Sequence, residues 1–238
     1  MKNKYRNIFL LFGVAAIAVM LLTFDVSYDE LTDSLRRAGI WFPVVVALWA
    51  FIYLLNAGAW YIIIHDGFRE RIVPFWRVYK YTVTGFALNA TTPVGLMGGE
   101  PYRIMELSPY VGVEKATSSV ILYVMMHIFS HFCFWLFSIL LYLVLYYNRL
   151  AVGISIFFAL AGAFCLLGIY FFMKGYRSGL AMRCIRLLQK MPFLKKWATS
   201  FAERKQESLQ QIDRQIAELH SKHRITFYSS LSAEFLAR

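Results

Sequence analysis

Between Asn89 and Arg103 the chain reads NATTPVGLMGGEPYR, so that a carboxylate, a guanidinium, three polar side chains and three glycines fall within one short stretch. Pro101 is of the type tolerated at the first position of a helix, where its missing N–H costs nothing. A helix that starts there brings its free N-terminal amides, the Arg103 fork and the polar Asn89, Thr91 and Thr92 around one point. Such a set suits an anion such as phosphate: the amides act through dipole and hydrogen bond, the arginine through paired charged hydrogen bonds. Glu100 has two roles open to it. It neutralises Arg103 when the site is empty, or it binds a cationic group or a proton. The plainer alternative is a salt bridge at a membrane edge that pins the loop.

The elements that must position these residues follow from composition. Of 238 residues, 59% are hydrophobic and 18% aromatic, with a mean hydropathy of +0.52, more apolar surface than a soluble core of this size can bury. Crossing a hydrocarbon layer takes about 20 apolar residues, and four stretches reach or approach that length: 7–24, 41–64, 117–147 and 150–172. The first runs straight into TFDVSYDE with no small-residue cleavage site, and reads as a retained anchor. The expected fold is an all-α integral membrane protein with about four full transmembrane helices.

Loop charge orients the chain, because cytoplasmic loops are enriched in Lys and Arg. MKNKYR at the start is basic, 25–40 holds four acids against Arg36 and Arg37, and 65–80 holds four bases against two acids. Residues 174–224 carry twelve of the 25 Lys and Arg against four acids, a local excess of +8. That excess falls inside only if 81–99 enters the membrane and returns; a full crossing would place it outside. The segment is therefore expected to be re-entrant, with the N-terminus cytoplasmic and the protein in the cell inner membrane. Pro93 disfavours helix at Thr92, and Gly95, Gly98 and Gly99 permit close backbone approach. Broken backbone at membrane depth persists only where protein or a watery cavity satisfies it. An ordinary helix kinked at Gly and Pro is the rival reading.

The organisation that follows is a transmembrane bundle over 1–173, basic cytoplasmic helices over 174–224, and the start of a further membrane helix over 225–238, where the chain reads as cut short. His127 and His131, four apart on one helical face with Ser130 beside them, read as a polar seam lining the cavity. No carboxylate or Cys stands in ligand register with them, so no metal and no cofactor is expected. Cys133, Cys165 and Cys184 read as small apolar residues. The basic region splits at Pro192 into LAMRCIRLLQKM and a longer helix, in which Leu209, Ile212, Ile216 and Leu219 recur at helical spacing, with Trp197 and Phe201 on a similar face. It is expected to lie on an anionic leaflet surface and clamp neighbouring helices, a placement that fits lipid rather than nucleic acid. A coiled-coil dimer is the rival.

TPVGLMGGEPYR resembles the signature of the lysylphosphatidylglycerol synthase transmembrane family, also called flippase-like or YbhN-like, with Pro93, the Gly98-Gly99-Glu100-Pro101 block and Arg103 as the matching residues. The resemblance implies an all-helical membrane fold with re-entrant half-helices, and partners among membrane phospholipids, including aminoacylated phosphatidylglycerol, or polyprenyl-linked lipids. It carries Pro93, Gly98, Gly99, Glu100 and Arg103 over as a head-group site. The function expected is translocation or presentation of such a lipid rather than an enzymatic reaction. The alternatives are a membrane-embedded transferase acting on lipid phosphates or lipid-linked sugars, and a scaffold holding a synthase partner.

Overall fold

The computed structural model describes residues 27–66, 72–91, 98–146, 152–178, 195–221 and 223–238, with isolated positions at 11, 14, 15, 18, 19, 23 and 189. Every regular element among them is a helix: α1 (Tyr28–Ala38), α2 (Trp41–Ile64), α3 (Phe75–Thr91), α4 (Gly99–Val111), α5 (Val113–Tyr146), α6 (Val152–Ser178), α7 (Lys195–Ser221) and α8 (Arg224–Leu236). The anchor expected at 7–24, the peptide LAMRCIRLLQKM and the motif residues 92–97, with Thr92 and Pro93, lie outside the described residues apart from isolated positions.

Three helices, Trp41–Ile64, Val113–Tyr146 and Val152–Gly175, are long and apolar enough to cross a membrane. Their outer faces expose Val44, Trp49, Leu140, Val144, Phe157 and Phe171, an arrangement that lipid tolerates and water does not. α5 starts four residues before the expected 117. Gly112, at φ +83°, ends α4 in a backbone conformation that other residues rarely adopt, and its carbonyl at once accepts the Ala116 N–H that opens the next helix. At 34 residues α5 is about 50 Å long, so its charged first turns project beyond a hydrocarbon layer of ~30 Å.

Ring and hydrogen-bond partners fix how the helices run. Tyr61 meets Phe75 and Tyr53 meets Phe86, so α3 runs antiparallel to α2. Trp60 meets Tyr123 while Lys115 reaches Asp66, and Phe132 meets Phe164 while Tyr142 meets Phe158, so α5 opposes both α2 and α6. Ser230 donates to the Ala59 carbonyl and Thr226 to the Asp66 carboxylate, so α8 opposes α2. The turns after Ile64 and Val111 and the start of α8 therefore gather at one end of the bundle. Asp66 ties them together: its carbonyl accepts Lys115 Nζ at 3.0 Å, and its Oδ1 takes Thr226 Oγ1 and His223 Nδ1, both at 2.9 Å. At the same turn the Val73 amide donates to His65 Nε2, which puts the ring proton on Nδ1 and directs it to the Tyr61 carbonyl.

Buried residues concentrate towards that end, in the second half of α2 (Asn56 to Ile64) and the first half of α5 (Ala116 to Ser130). Amphipathic α7 closes it. Leu209, Ile212 and Ile216 are buried as their spacing implies, the last two within the main core, and Ser208 donates to Glu114 at the head of α5. The side chains of Trp197, Phe201 and Leu219 lie outside the described residues.

Candidate functional site

α3 and α4 form an antiparallel helical hairpin, and its sequence explains how closely they pack. Thr82, Gly85 and Asn89 are spaced three and four apart and share one face of α3; Gly99 and Arg103 are four apart on α4. The two stripes of small and polar residues meet. A Cβ on Gly99 would overlap the Gly85 carbonyl, and one on Gly85 would come within 2.5 Å of Arg103 Nε. Close backbone approach requires glycine at 99, whereas a side chain at 85 would displace the Arg103 guanidinium.

Asn89 clasps the C-terminal end of α3 to the start of α4. Its Oδ1 accepts the Gly99 N–H at 2.6 Å, and its Nδ2 donates to Glu100 Oε1 at 3.1 Å. One of the helix N-terminal amides expected to face an anion is therefore already satisfied by this side chain, and Pro101 has none to offer. Gly98 caps the helix without a side-chain bond, and Thr91 is the last residue of α3. Lower down, Tyr81 packs edge-on against Tyr102, and Arg77 bonds Tyr110. Pro109, inside α4, cannot donate to the Met105 carbonyl, and Ser108 Oγ takes that acceptor at 3.2 Å instead.

Arg103 is the centre of the arrangement and is 1% exposed. Its Nη1 lies 3.3 Å from Glu100 Oε1, and its Nη2 donates to the Thr82 carbonyl at 3.3 Å. Three aromatic rings surround the guanidinium, with Cζ 4.8 Å from the ring centre of Phe86, 5.2 Å from Tyr123 and 6.0 Å from Trp60. Ring faces stabilise a cation by their quadrupole, more so when water is excluded. Arg103 Nε, Glu100 Oε2, Trp60 Nε1 and the Tyr123 hydroxyl have no hydrogen-bond partner among the described residues. Glu100 keeps an exposed fraction of 23%. Chemically, this is a buried cation with an unused donor, held by a carboxylate that an incoming anion could displace, beside two further unused donors.

His127, Ser130 and His131 lie on the next turns of α5, past Tyr123. His127 packs against Phe86, and so adjoins the Arg103 cage. The sequence pairs these three with nothing; the structure sets them against Glu234 of α8 and Arg238 just beyond its end. No group of three metal-binding side chains occurs among the described residues. Sequence reasoning also missed the three-ring cage, Thr82 and Gly85. For Gly85 a signal was present: a glycine four residues before Asn89 in an otherwise bulky segment.

Apolar helices exposed along their flanks, around a core holding paired charges, define a multi-pass, all-helical integral membrane protein. The lysylphosphatidylglycerol synthase TM region matches the chain over residues 9–234, and the protein belongs to that family. No curated protein and no solved structure matches it.

Proposed function

We propose that the protein translocates or presents a lipid with an anionic head group, with Arg103 as the residue that receives the phosphate. The observation that carries this reading is the buried Arg103–Glu100 pair, in which donor and acceptor atoms stay unused inside an aromatic cage at the end of a two-helix hairpin. Ionisable groups at membrane depth cost roughly 3 kcal/mol each by insertion scales, which favours a functional reason for keeping them. The head group enters between the described ends of α3 and α4, exchanges with Glu100 for the guanidinium fork, and leaves its acyl chains in the bilayer. Asn89, Gly98 and Gly99 form the mouth of that site, and Thr91, Thr92 and Pro93 adjoin them in sequence.

In this reading residues 81–99 are re-entrant. The antiparallel pairing of α3 with α4 supports it, because it returns the chain to the end where Asp66 and α7 stand. The N-terminus and α7 face the cytoplasm, and the membrane is the cell inner membrane, whose anionic leaflet attracts the basic segment 174–224 as a whole.

The test uses purified protein in liposomes carrying head-group-labelled phosphatidylglycerol, scored for leaflet exchange and for chemical change of the lipid. Wild type is expected to exchange lipid without forming product. Glu100→Gln and Arg103→Lys are expected to lose exchange while eluting as folded protein, the latter because an ammonium lacks the planar fork. Exchange at the wild-type rate in both variants, or a new lipid product, refutes the proposal.

A further inference from the structure

A second charged cluster lies in the core on the far side of Tyr123, and lipid binding at Arg103 does not use it. Glu234 is fully buried. Its Oε2 accepts His127 Nδ1 at 2.8 Å and Arg238 Nη2 at 3.2 Å. Arg238 also donates to Ser130 Oγ from Nε at 3.1 Å and from Nη2 at 2.9 Å, to the His127 carbonyl at 2.8 Å, and to His131 Nε2 at 3.0 Å. A guanidinium only donates, so His131 Nε2 must accept. The His131 proton then sits on Nδ1, pointing to the His127 carbonyl 2.9 Å away, and His131 is neutral.

Glu234 Oε1 has no partner among the described residues, and neither has Oδ1 of the buried Asn56. Asn56 cannot be turned round to supply a donor, because its Nδ2 already donates to the Ile52 carbonyl at 2.9 Å, where an oxygen would be repelled. Ser230 on Ala59 sets the antiparallel register of α8 on α2. One turn further along each helix brings Glu234 level with Asn56. Two buried acceptors without donors among the described residues thus stand at one level of the packed helices, where a proton on Glu234 Oε1 would supply a donor.

We infer that the His127–Glu234 pair, facing Asn56, is a proton-binding site, and that it takes up one proton when an anionic head group binds at Arg103. The inference rests on the head-group reading given above. It follows from charge balance in a dry core. Glu100, Arg103, Glu234 and Arg238 sum to zero, and Tyr123 stands between the two pairs, its ring 5.2 Å from Arg103 Cζ and 6.1 Å from the His127 ring. An added phosphodiester leaves this core at −1, and net charge in low dielectric is costly. A proton on the pair restores zero. The groups facing the pair are His131 and Tyr123 from α5, Arg238 just past the end of α8, Glu100 and Arg103 of α4 by way of Tyr123, and from α2 the uncharged Asn56 and Trp60. α7 joins α8 at its start, where His223 pairs with Asp66, well away from Glu234.

The probe is dihexanoylphosphatidylglycerol, whose phosphodiester stays ionised throughout, titrated calorimetrically into the full chain in detergent between pH 5.5 and 8. Two buffers of different ionisation enthalpy give the number of protons taken up. Wild type is expected to take up close to one proton per lipid bound and to lose affinity roughly tenfold per pH unit where the pair deprotonates, as one-to-one linkage requires. Glu234→Gln, a neutral shape match, is expected to bind without pH dependence and without proton uptake. PH-independent wild-type binding with no proton uptake overturns the inference and leaves the head-group site standing, as does undiminished uptake in Glu234→Gln. No binding at any pH overturns both readings. If Glu234→Gln does not fold, the wild-type proton count decides alone.

Discussion

Gly99→Ala tests the hairpin on which the site depends. An added methyl would overlap the Gly85 carbonyl oxygen, and would sit 2.7 Å from the Gly85 carbonyl carbon and 2.9 Å from Asn89 Oδ1. Two of these three atoms are backbone and cannot rotate away, so α4 must retreat by roughly 1 Å to restore ordinary contact distances of ~3.5–4 Å. The 2.6 Å bond from the Gly99 amide to Asn89 does not survive that shift. Overpacking costs about 1–3 kcal/mol and a lost buried hydrogen bond about 1 more, against at most ~1 regained from alanine's helix propensity. The net expectation is a loss of about 1–3 kcal/mol. Gly58 supplies the internal control: it lies within α2, and an added Cβ there meets nothing within 4 Å, so Gly58→Ala is expected to be neutral or slightly stabilising. Unfolding midpoints in an SDS titration compare the two variants with wild type. Equal midpoints for Gly99→Ala and Gly58→Ala refute close packing of α3 on α4.

Asp66→Asn keeps shape but removes the charge that holds His223, and is expected to cost about 1 kcal/mol, the exposure of His223 limiting the effect; faster proteolysis near residues 222–223 is the readout, and unchanged kinetics count against the tie. A cysteine at Gln210, in a chain with Cys133, Cys165 and Cys184 replaced, is expected to resist an impermeant thiol reagent in intact cells and to react after permeabilisation. Gln210 is exposed, whereas its neighbour Ser208 is engaged by Glu114. Labelling of intact cells contradicts the cytoplasmic placement of α7.

Much of the architecture was legible because membrane helices advertise themselves by length. The span expected at 41–64 is α2 to the residue, and the amphipathic spacing of Leu209, Ile212 and Ile216 marks the buried face of α7. Helix is described up to Thr91 and again from Gly99, and the residues between them, with Pro93 and Gly95, lie outside the described residues. Within the site, Glu100 and Arg103 pair as their three-residue separation suggests. What stayed hidden are faces. A helix that is apolar all round gives no period to say which side meets its neighbour, so Trp60, Phe86 and Tyr123 could not be assigned to one cation. The bond from His127 to Glu234 joins residues 107 apart, and only the register of α8 between α2 and α5 brings them together.

The contact of Gly85 with Gly99 has a mechanical side. Where the Gly85 carbonyl meets Gly99, main chain lies against main chain and cannot re-rotate to absorb a displacement. Asn89 clasps the far end, so the paired half-length rods respond as a single stiff lever. A push at the mouth is felt at the guanidinium without slack, and sliding one rod past the other would first have to tear that clasp.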